Sequence, residues 1–302
     1  PAGQPPADQP VEDIRMNSAP LLQMACTLRN RKFDLHADFT STAPITGIFG
    51  PPGSGKTSLL HAIAGLIRPA DGFIKVAGTP MVNVKGRWWL PPHQRRIGVL
   101  FQDNRLFPHL DVRDNLLFGY RRIPRAVRRI LPEEIIGLLR LEPLLNRRTP
   151  SLSTDEARRV ALGQTLLTSP RLLLLDEPLT GLEPLQRRDL LAFLITLPRR
   201  LEIPLVYASH TRADVVALVQ HALAIRDGEV VEVNAQSLLL DDSETYLTGT
   251  VESSDPSGHV RVRIGENTLV AVGPEQSPGT RVRVALSGLE VLPVSTTTLN
   301  PS

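Results

Sequence analysis

The chain has 302 residues, of which 41% are hydrophobic and 22% charged, as in a globular protein with one large and one small domain. Its formal net charge is +3. The excess arginines lie in scattered pairs among acidic residues, without an aromatic-rich strand beside them, so we expect no nucleic-acid partner. No apolar stretch is long enough to span a bilayer, and the first residues lack the pattern of a signal peptide.

The N-terminal residues 1–20 are rich in Pro, Ala, Gln and Asp, and this composition predicts a disordered tail. Cys26 is the single cysteine and cannot form an internal disulfide, which is typical of proteins kept in a reducing cytoplasm. The simpler interpretation of Cys26 is a small buried hydrophobic side chain.

Apolar strands alternate with helical segments over residues 21–240. Strands are predicted at 21–28, 33–39, 45–49, 73–84 (with a turn at 78–79), 98–101, 172–175, 204–209 and 222–225. Helices are predicted at 58–64, 184–197 and 212–221, and residues 103–165 form helical segments interrupted by prolines. Such an alternation predicts an α/β fold in which crossover helices join parallel strands.

Beyond residue 240 the pattern changes to short segments in which apolar and polar residues alternate. These segments are 246–252, 259–264, 268–272, 281–285 and 290–294, and turn residues separate them. They predict a small C-terminal antiparallel β domain at 241–302.

Residues 50–57, Gly-Pro-Pro-Gly-Ser-Gly-Lys-Thr, match the phosphate-binding P-loop and lie between a strand and a helix, as the motif requires. Lys56 would reach the β- and γ-phosphates, and Thr57 would offer its hydroxyl to Mg²⁺. A glycine-rich turn before a helix is the weaker alternative. The predicted nucleotide contacts are Gly50, Pro51, Gly53, Ser54, Gly55, Lys56, Thr57 and Ser58.

Polar residues follow three more strands, where ligands bind in open α/β sheets. Asp176 and Glu177 end an all-leucine strand, where Asp176 can hold the Mg²⁺ shell and Glu177 can polarise an attacking water. Gln102 and His210 follow two further strands. A polar turn or a helix cap is the alternative for each of these residues taken singly.

The ordered series P-loop, Gln102, Asp176-Glu177 and His210 resembles the ATP-binding subunit of an ABC transporter, over roughly residues 21–240. The resemblance implies a P-loop NTPase fold of the ABC type, with a helical subdomain at about 103–165. It further implies that Gln102 contacts Mg²⁺ and water and senses the permease, that Glu177 is the catalytic base, and that His210 contacts the γ-phosphate. Phe33 is the candidate for stacking on adenine, with a core aromatic as the alternative.

Within that family, residues 101–109 are very similar to importers that work with a periplasmic or extracellular binding protein. Residues 90–96, 144–147 and 166–172 look most like the molybdate importer's ATPase. The resemblance implies a homodimer that sandwiches two ATP molecules against permease subunits on the cytoplasmic face of the cell membrane. The C-terminal strands resemble the start of an oxyanion-binding β domain of the oligonucleotide/oligosaccharide-binding type, and we expect a truncated regulatory domain.

The family's signature loop, Leu-Ser-Gly-Gly-Gln or Glu, is altered in this chain to Leu-Ser-Thr-Asp-Glu at residues 152–156. By resemblance Ser153 contacts the ATP bound to the opposite subunit. The charge of Asp155 would then repel phosphate by roughly 1 to 4 kcal/mol at about 4 Å, less if the carboxylate points away. The same residues fit a capping box, in which Ser153 and Glu156 start a helix that runs to about Leu167.

Two functional hypotheses follow from this departure. The chain is either an active transport ATPase or an ATP-binding subunit whose hydrolysis is impaired by the altered signature loop. Gln164 stands where the family usually has Arg, and residues 180–183 also differ from the family pattern. A DNA-repair ATPase of related fold would need a long coiled-coil insertion, which the sequence does not contain.

Overall fold

A computed structural model describes residues 20–29, 34–219, 221–240, 246–255, 258–264, 267–272, 276–285 and 290–293. The chain divides into two compact units, residues 1–239 and 240–302. The predicted tail lies outside the described residues apart from Pro20, and Phe33 also lies outside them. No helix within the described ranges is long and apolar enough to cross a membrane.

The first unit contains a mixed sheet of eleven strands. These are β1 (Leu22–Arg29), β2 (Asp34–Ser41), β3 (Ile45–Phe49), β4 (Asp71–Val76), β5 (Thr79–Asn83), β6 (Trp88–Trp89), β7 (Ile97–Leu100), β8 (Leu172–Asp176), β9 (Leu205–Ser209), β10 (His221–Arg226) and β11 (Glu229–Asn234). The helices are α1 (Lys56–Ala64), α2 (Val112–Tyr120), α3 (Pro132–Leu138), α4 (Thr154–Leu166), α5 (Pro184–Arg200) and α6 (Arg212–Leu218).

Strand order in this sheet is β6-β5-β4-β1-β2-β11-β10-β3-β9-β8-β7. The five strands from β10 to β7 run parallel, as the sequence predicts for segments joined by crossover helices. The strands from β6 to β2 pair antiparallel. Parallel neighbours place their carboxyl ends at one edge of the sheet, and that edge carries the predicted site residues.

Four consecutive leucines of β8 are fully buried because the strand is covered on both faces. Leu172 and Leu174 pack in the core that contains α1 and the antiparallel strands, whereas Leu173 and Leu175 pack in the core that contains α4 and α5. This two-sided burial explains a continuous apolar run in place of the usual alternation. It also fixes the register of the two carboxylates that follow.

Local signals define the helix ends that position the site. Helix α1 ends at Gly65, whose φ of 87° is in the left-handed region and whose N–H donates to the Ala62 carbonyl. Helix α5 begins with Pro184, which has no N–H to leave unpaired in the first turn. Helix α2 has Asp111 as its N-cap, and the Asp111 carboxylate accepts from the Asp114 N–H.

Three sequence expectations require correction. The helix predicted at 212–221 ends at Leu218, because Val219 is extended and His221 begins β10, which pairs with β3 and β11. Strand β11 was not predicted, although it pairs with β10 antiparallel. The region 103–165 is less helical than expected, since its first α-helix begins only at Val112.

Cys26 is a buried core side chain, and burial raises the pKa of its thiol to about 12.

The second unit is a closed barrel of β12 (Tyr246–Ser254), β13 (His259–Ile264), β14 (Asn267–Val272), β15 (Arg281–Ala285) and β16 (Glu290–Pro293). The order β12-β13-β14-β16-β15 is that of an oligonucleotide/oligosaccharide-binding fold. Neighbours pair antiparallel except β14 and β16. Buried residues of β12 to β15 form the core of the barrel: Val251, Val260, Val262, Ala271, Val282 and Val284. The predicted fold class is confirmed for both units.

Candidate active site

The P-loop joins β3 to α1, as the sequence predicts. Gly53 and Gly55 have φ angles of 82° and 107°, in the left-handed region that favours glycine. Gly50 is also constrained, because a Cβ on it would lie 2.5 Å from Ser54 Oγ. The glycines therefore permit a tight loop whose backbone N–H groups, together with the positive end of α1, suit an anion.

Lys56 lies in the first turn of α1 and is only 5% exposed. Its ammonium donates to the carbonyl oxygens of Gly50 and Pro51 at 2.7 and 3.2 Å. It also forms an ion pair with Glu177 Oε1 at 3.3 Å. The P-loop cation and the predicted catalytic carboxylate are thus in direct contact, although 121 positions separate them in the sequence (177 − 56).

Thr57 and Asp176 also meet, as expected of two residues that share a metal ion. Thr57 Oγ1 donates to Asp176 Oδ2 at 2.8 Å. Asp176 is 4% exposed, and burial raises the pKa of its carboxyl. Its Oδ1 is buried and has no hydrogen-bond partner among the described residues. A hydroxyl beside a carboxylate that has a spare oxygen is a donor set suited to a hard divalent cation such as Mg²⁺.

Glu177 is 8% exposed and is held from several sides. His210 Nδ1 lies 2.8 Å from Glu177 Oε2, which also accepts from the hydroxyls of Thr180 and Ser209 at 3.2 and 3.4 Å. The backbone φ of Glu177 is 50°, an unusual value for a residue with a side chain and one that clusters at functional sites. Neither Thr180 nor Ser209 is recognisable in the sequence as a partner of Glu177.

Gln102 lies in the turn after β7, and its side chain is exposed. The preceding residue, Phe101, contacts two arginines that the sequence analysis missed. Arg158 Nη1 donates to the Phe101 carbonyl at 3.3 Å, and the Arg105 guanidinium lies 3.6 Å from the centre of the Phe101 ring. Arg158 is 3% exposed and burial lowers the pKa of its guanidinium, so helix α4 is directly joined to the segment that holds Gln102.

Arg95 is a second buried arginine that sequence reasoning did not single out. It is 1% exposed, and burial lowers the pKa of its guanidinium to about 10. Its Nη1 donates to the carbonyls of Ala62 and Ile63, and its Nε donates to the Leu90 carbonyl. Arg95 therefore binds the last carbonyls of the helix that follows the P-loop.

The capping box predicted at Ser153 and Glu156 is confirmed. Ser153 Oγ accepts from the Glu156 N–H at 3.2 Å, and Glu156 Oε2 accepts from the Ser153 N–H at 2.7 Å. The Ser153 N–H bond and the ion pair with Arg147 hold the pKa of the Glu156 carboxyl below its usual range. Helix α4 therefore forms normally despite the altered signature loop.

Asp155 points neither over the helix end nor freely into solvent. Its Oδ2 lies 2.8 Å from Arg159 Nη2 and 2.9 Å from Arg159 Nε, and the side chain is 13% exposed. Among the described residues, no hydrogen bond or ion pair links the segment 153–156 to the P-loop of the same chain.

Most of the predicted residues meet at one sheet edge. The adjacent order β3-β9-β8-β7 places the P-loop, His210, the pair Asp176-Glu177 and Gln102 side by side at the strands' carboxyl ends. Phe33 remains untested because it lies outside the described residues. Ser153 lies at the start of α4. Its capping hydrogen bonds are with Glu156 and do not connect it to this sheet edge.

Comparison with known proteins identifies the family. The ABC transporter family profile matches residues 36–180. The molybdenum import ATP-binding protein ModC of Paramagnetospirillum magneticum is 37% identical in an alignment of 284 residues that covers 90% of this chain and 78% of that protein. ModC of Rhizobium etli is 40% identical in an alignment of 270 residues that covers 86% of this chain and 76% of the relative. The chain belongs to the ABC transporter family.

A solved ABC transporter subunit supports the fold. The structure of cbiO1 from Clostridium perfringens, part of the ABC transporter complex cbiONQ, superposes with a TM-score of 0.60 at 23% identity. The match covers 74% of this chain and 92% of cbiO1. Membership of the ABC transporter family makes the chain an ABC-type ATPase that binds ATP, which confirms the predicted family and enzyme class.

Proposed function

We propose that this chain is the ATP-hydrolysing subunit of a binding-protein-dependent importer for molybdate or a similar oxyanion. The observation that carries the mechanism is the contact set that joins Lys56, Glu177 and His210 at the sheet edge. The substrate class is supported by the relatives that cover most of the chain, which are molybdenum import ATP-binding proteins. No observation favours the alternative of an ATP-binding subunit with impaired hydrolysis.

The phosphate groups of ATP would be held by the P-loop residues 50–58. Lys56 carries the positive charge for the β- and γ-phosphates, and the start of α1 adds backbone N–H donors. Thr57, Asp176 and Gln102 would hold Mg²⁺. When bound, that ion would neutralise charge that develops on the phosphate groups. The spare Oδ1 of Asp176 is the oxygen best placed to serve it.

Glu177 would act as the general base for the attacking water. Its two oxygens have different neighbours, since Oε1 faces Lys56 and Oε2 faces His210, Thr180 and Ser209. These contacts fix the direction of the carboxylate before the water is polarised. His210 is 42% exposed and lies at the mouth of the site, where it would contact the γ-phosphate.

The proposed assembly contains two copies of this chain and permease subunits. Each ATP site would be formed by both copies. The P-loop of one copy would bind ATP, and Ser153 of the other would close over the γ-phosphate. Ser153 is an exposed residue at the start of α4, which makes it accessible to such a partner. The complex would lie on the cytoplasmic face of the membrane and serve an external substrate-binding protein.

We further propose that residues 21–240 form the ATP-binding domain and residues 241–302 a separate regulatory β domain. The division of the chain into two compact units near residue 239 supports this boundary. The closed barrel of the second unit, with its own core of valines, supports an independent domain.

The decisive test of this proposal measures ATP turnover of the full chain beside Glu177→Gln. We expect the variant to bind ATP normally and to lose turnover by about a thousandfold, because the amide cannot accept a proton. Glu133→Gln, at an exposed position of α3, is the matched control and should keep full turnover. Equal turnover of the Glu177 variant and the wild type would contradict the assigned role.

The substrate class needs a transport assay. Vesicles that contain the full transporter with its permease should take up molybdate when ATP is present inside, and chloride should not compete. Uptake of molybdate that does not depend on ATP, or no uptake of any oxyanion tested, would contradict the importer assignment.

A further inference from the structure

The altered signature loop carries a negative charge where the proposed mechanism brings in a polyanion. Asp155 is the second residue of α4, in the first turn at the end that would approach the γ-phosphate of the opposite copy. An unpaired carboxylate at about 4 Å would repel phosphate strongly enough to slow closure. The contacts of Asp155 in the folded chain decide whether this repulsion operates.

The Asp155 carboxylate is held along the side of α4. It makes two contacts with the guanidinium of Arg159, one turn further along the helix, at 2.8 and 2.9 Å. Both side chains line a cleft whose other walls are the end of α3 and the exposed face of α5, where Gln186 and Phe193 contribute. The carboxylate thus faces the flank of the helix and not its N-terminal end.

Arg159 is itself held in place from a different element. Its Nη1 donates to the Leu139 and Arg140 carbonyls at 3.1 and 3.4 Å, at the end of α3. Only 26% of the Arg159 side chain is exposed. The guanidinium is therefore already oriented by backbone acceptors when it receives the carboxylate, and the pair loses little side-chain entropy on forming.

We infer that Arg159 is a positioning residue that neutralises Asp155 and keeps its carboxylate off the phosphate-facing end of α4. The capping box uses the N–H of Glu156, whereas the N–H groups of Thr154 and Asp155 have no acceptor inside the helix and face its N-terminal end. With Asp155 paired sideways and the Glu156 carboxylate paired with Arg147 at 2.9 Å, those N–H groups and the Ser153 hydroxyl face the phosphate without an unpaired negative charge beside them. This inference rests on the proposed function and explains how an altered signature loop remains compatible with hydrolysis.

The test is a double-mutant cycle on ATP turnover of the full chain. Arg159→Met frees the carboxylate, and we expect kcat to fall by about tenfold to a hundredfold. ATP binding by the P-loop of the same chain should be unchanged. Asp155→Asn alone should stay within about twofold of wild type. Arg159→Met combined with Asp155→Asn should recover most of the lost turnover, because the repulsive charge is gone.

Two controls separate positioning from a structural role. Arg159→Lys keeps a positive charge beside Asp155 and should retain most of the turnover. Arg121→Met removes an exposed arginine that pairs with Asp114 at 3.0 Å, and it should have no effect. If Arg159→Met leaves turnover unchanged, or if the double variant is as slow as Arg159→Met, the inference is wrong. A wild type that is no faster than Glu177→Gln would instead overturn the proposed function.

Discussion

The P-loop half of the site and the signature half of the site are built in different ways. Around the P-loop, two glycines with positive φ shape the backbone, and functional side chains already contact one another: Lys56 with Glu177, and Thr57 with Asp176. The signature segment has lost both family glycines, and side chains occupy their positions. It instead relies on a capping box and on the ion pair between Asp155 and Arg159.

This difference shows which property of a phosphate site can be replaced. The P-loop backbone must bend where only glycine bends easily, so its glycines are determined by conformation. The start of α4 has ordinary helical geometry, so Thr154 and Asp155 fit there without backbone strain. The signature segment must avoid an unpaired negative charge near the phosphate, and a neighbouring arginine can neutralise such a charge.

The largest effect should come from the P-loop half. Lys56→Ala removes the ammonium that is shared by two loop carbonyls and Glu177. We expect ATP turnover to fall by about a thousandfold, with binding weakened as well, because the phosphate charge loses its cation. Turnover and equilibrium nucleotide binding measure the two effects.

The control for that change is Lys85→Ala, at an exposed lysine between β5 and β6. It should leave both quantities unaltered. If Lys56→Ala reduces turnover less than Arg159→Met does, the P-loop does not contribute more to ATP turnover than the signature segment, and this prediction is wrong.

The second effect concerns the buried carboxylate of Asp176. Burial raises the pKa of this carboxyl, so the folded state binds its proton more tightly than the unfolded chain does. The ionised form therefore destabilises the folded state as pH rises above about 4. In EDTA at neutral pH we expect Asp176→Asn to increase the free energy of unfolding by roughly 1 kcal/mol, and this gain should shrink as the pH falls toward 4.

Added Mg²⁺ with ATP should reverse that order, because the metal stabilises only the carboxylate form. The melting temperature of wild type should rise on addition of Mg²⁺ beyond its rise with ATP alone, and that extra rise should be absent in Asp176→Asn. Calorimetry with and without EDTA measures both. If Asp176→Asn is less stable than wild type in EDTA at neutral pH, the ionised Asp176 carboxylate does not destabilise the metal-free fold, and the prediction is wrong.

The smallest effect should come from the cap of α4. Ser153→Ala removes the hydroxyl that accepts from the Glu156 N–H, and we expect unfolding free energy to fall by ~1 kcal/mol. Thr211→Ala is the matched control, because Thr211 precedes α6 and its side chain makes no capping bond. Urea denaturation of the two variants should separate them, and equal losses would show that the capping box does not stabilise the helix.

Local patterns in the sequence were sufficient for much of the fold and for the centre of the site. The loop 50–57, the leucines of β8 and the capping box each follow from short-range rules, and the structure agrees with them. The contact of Glu177 with Ser209 did not follow, because it depends on β8 and β9 being neighbours. The contact with Thr180 did not follow either, because it depends on the turn that the chain makes after β8.

The buried arginines were also beyond sequence reasoning. Arg95 and Arg158 resemble any surface arginine in the sequence, and their roles depend on carbonyls from elements far along the chain. The pairing of Asp155 with Arg159 could have been suggested by their spacing of four residues in a helix. The sequence could not show that α3 holds the guanidinium in place.

We propose that this chain hydrolyses ATP although its signature loop is altered. The most direct measurement compares ATP turnover of wild type with the double variant Thr154→Gly and Asp155→Gly, which restores the family glycines. We predict that the two differ by less than about threefold, because Asp155 is already neutralised by Arg159. A wild type at the background level of Glu177→Gln, with turnover appearing only in the double glycine variant, would contradict the account.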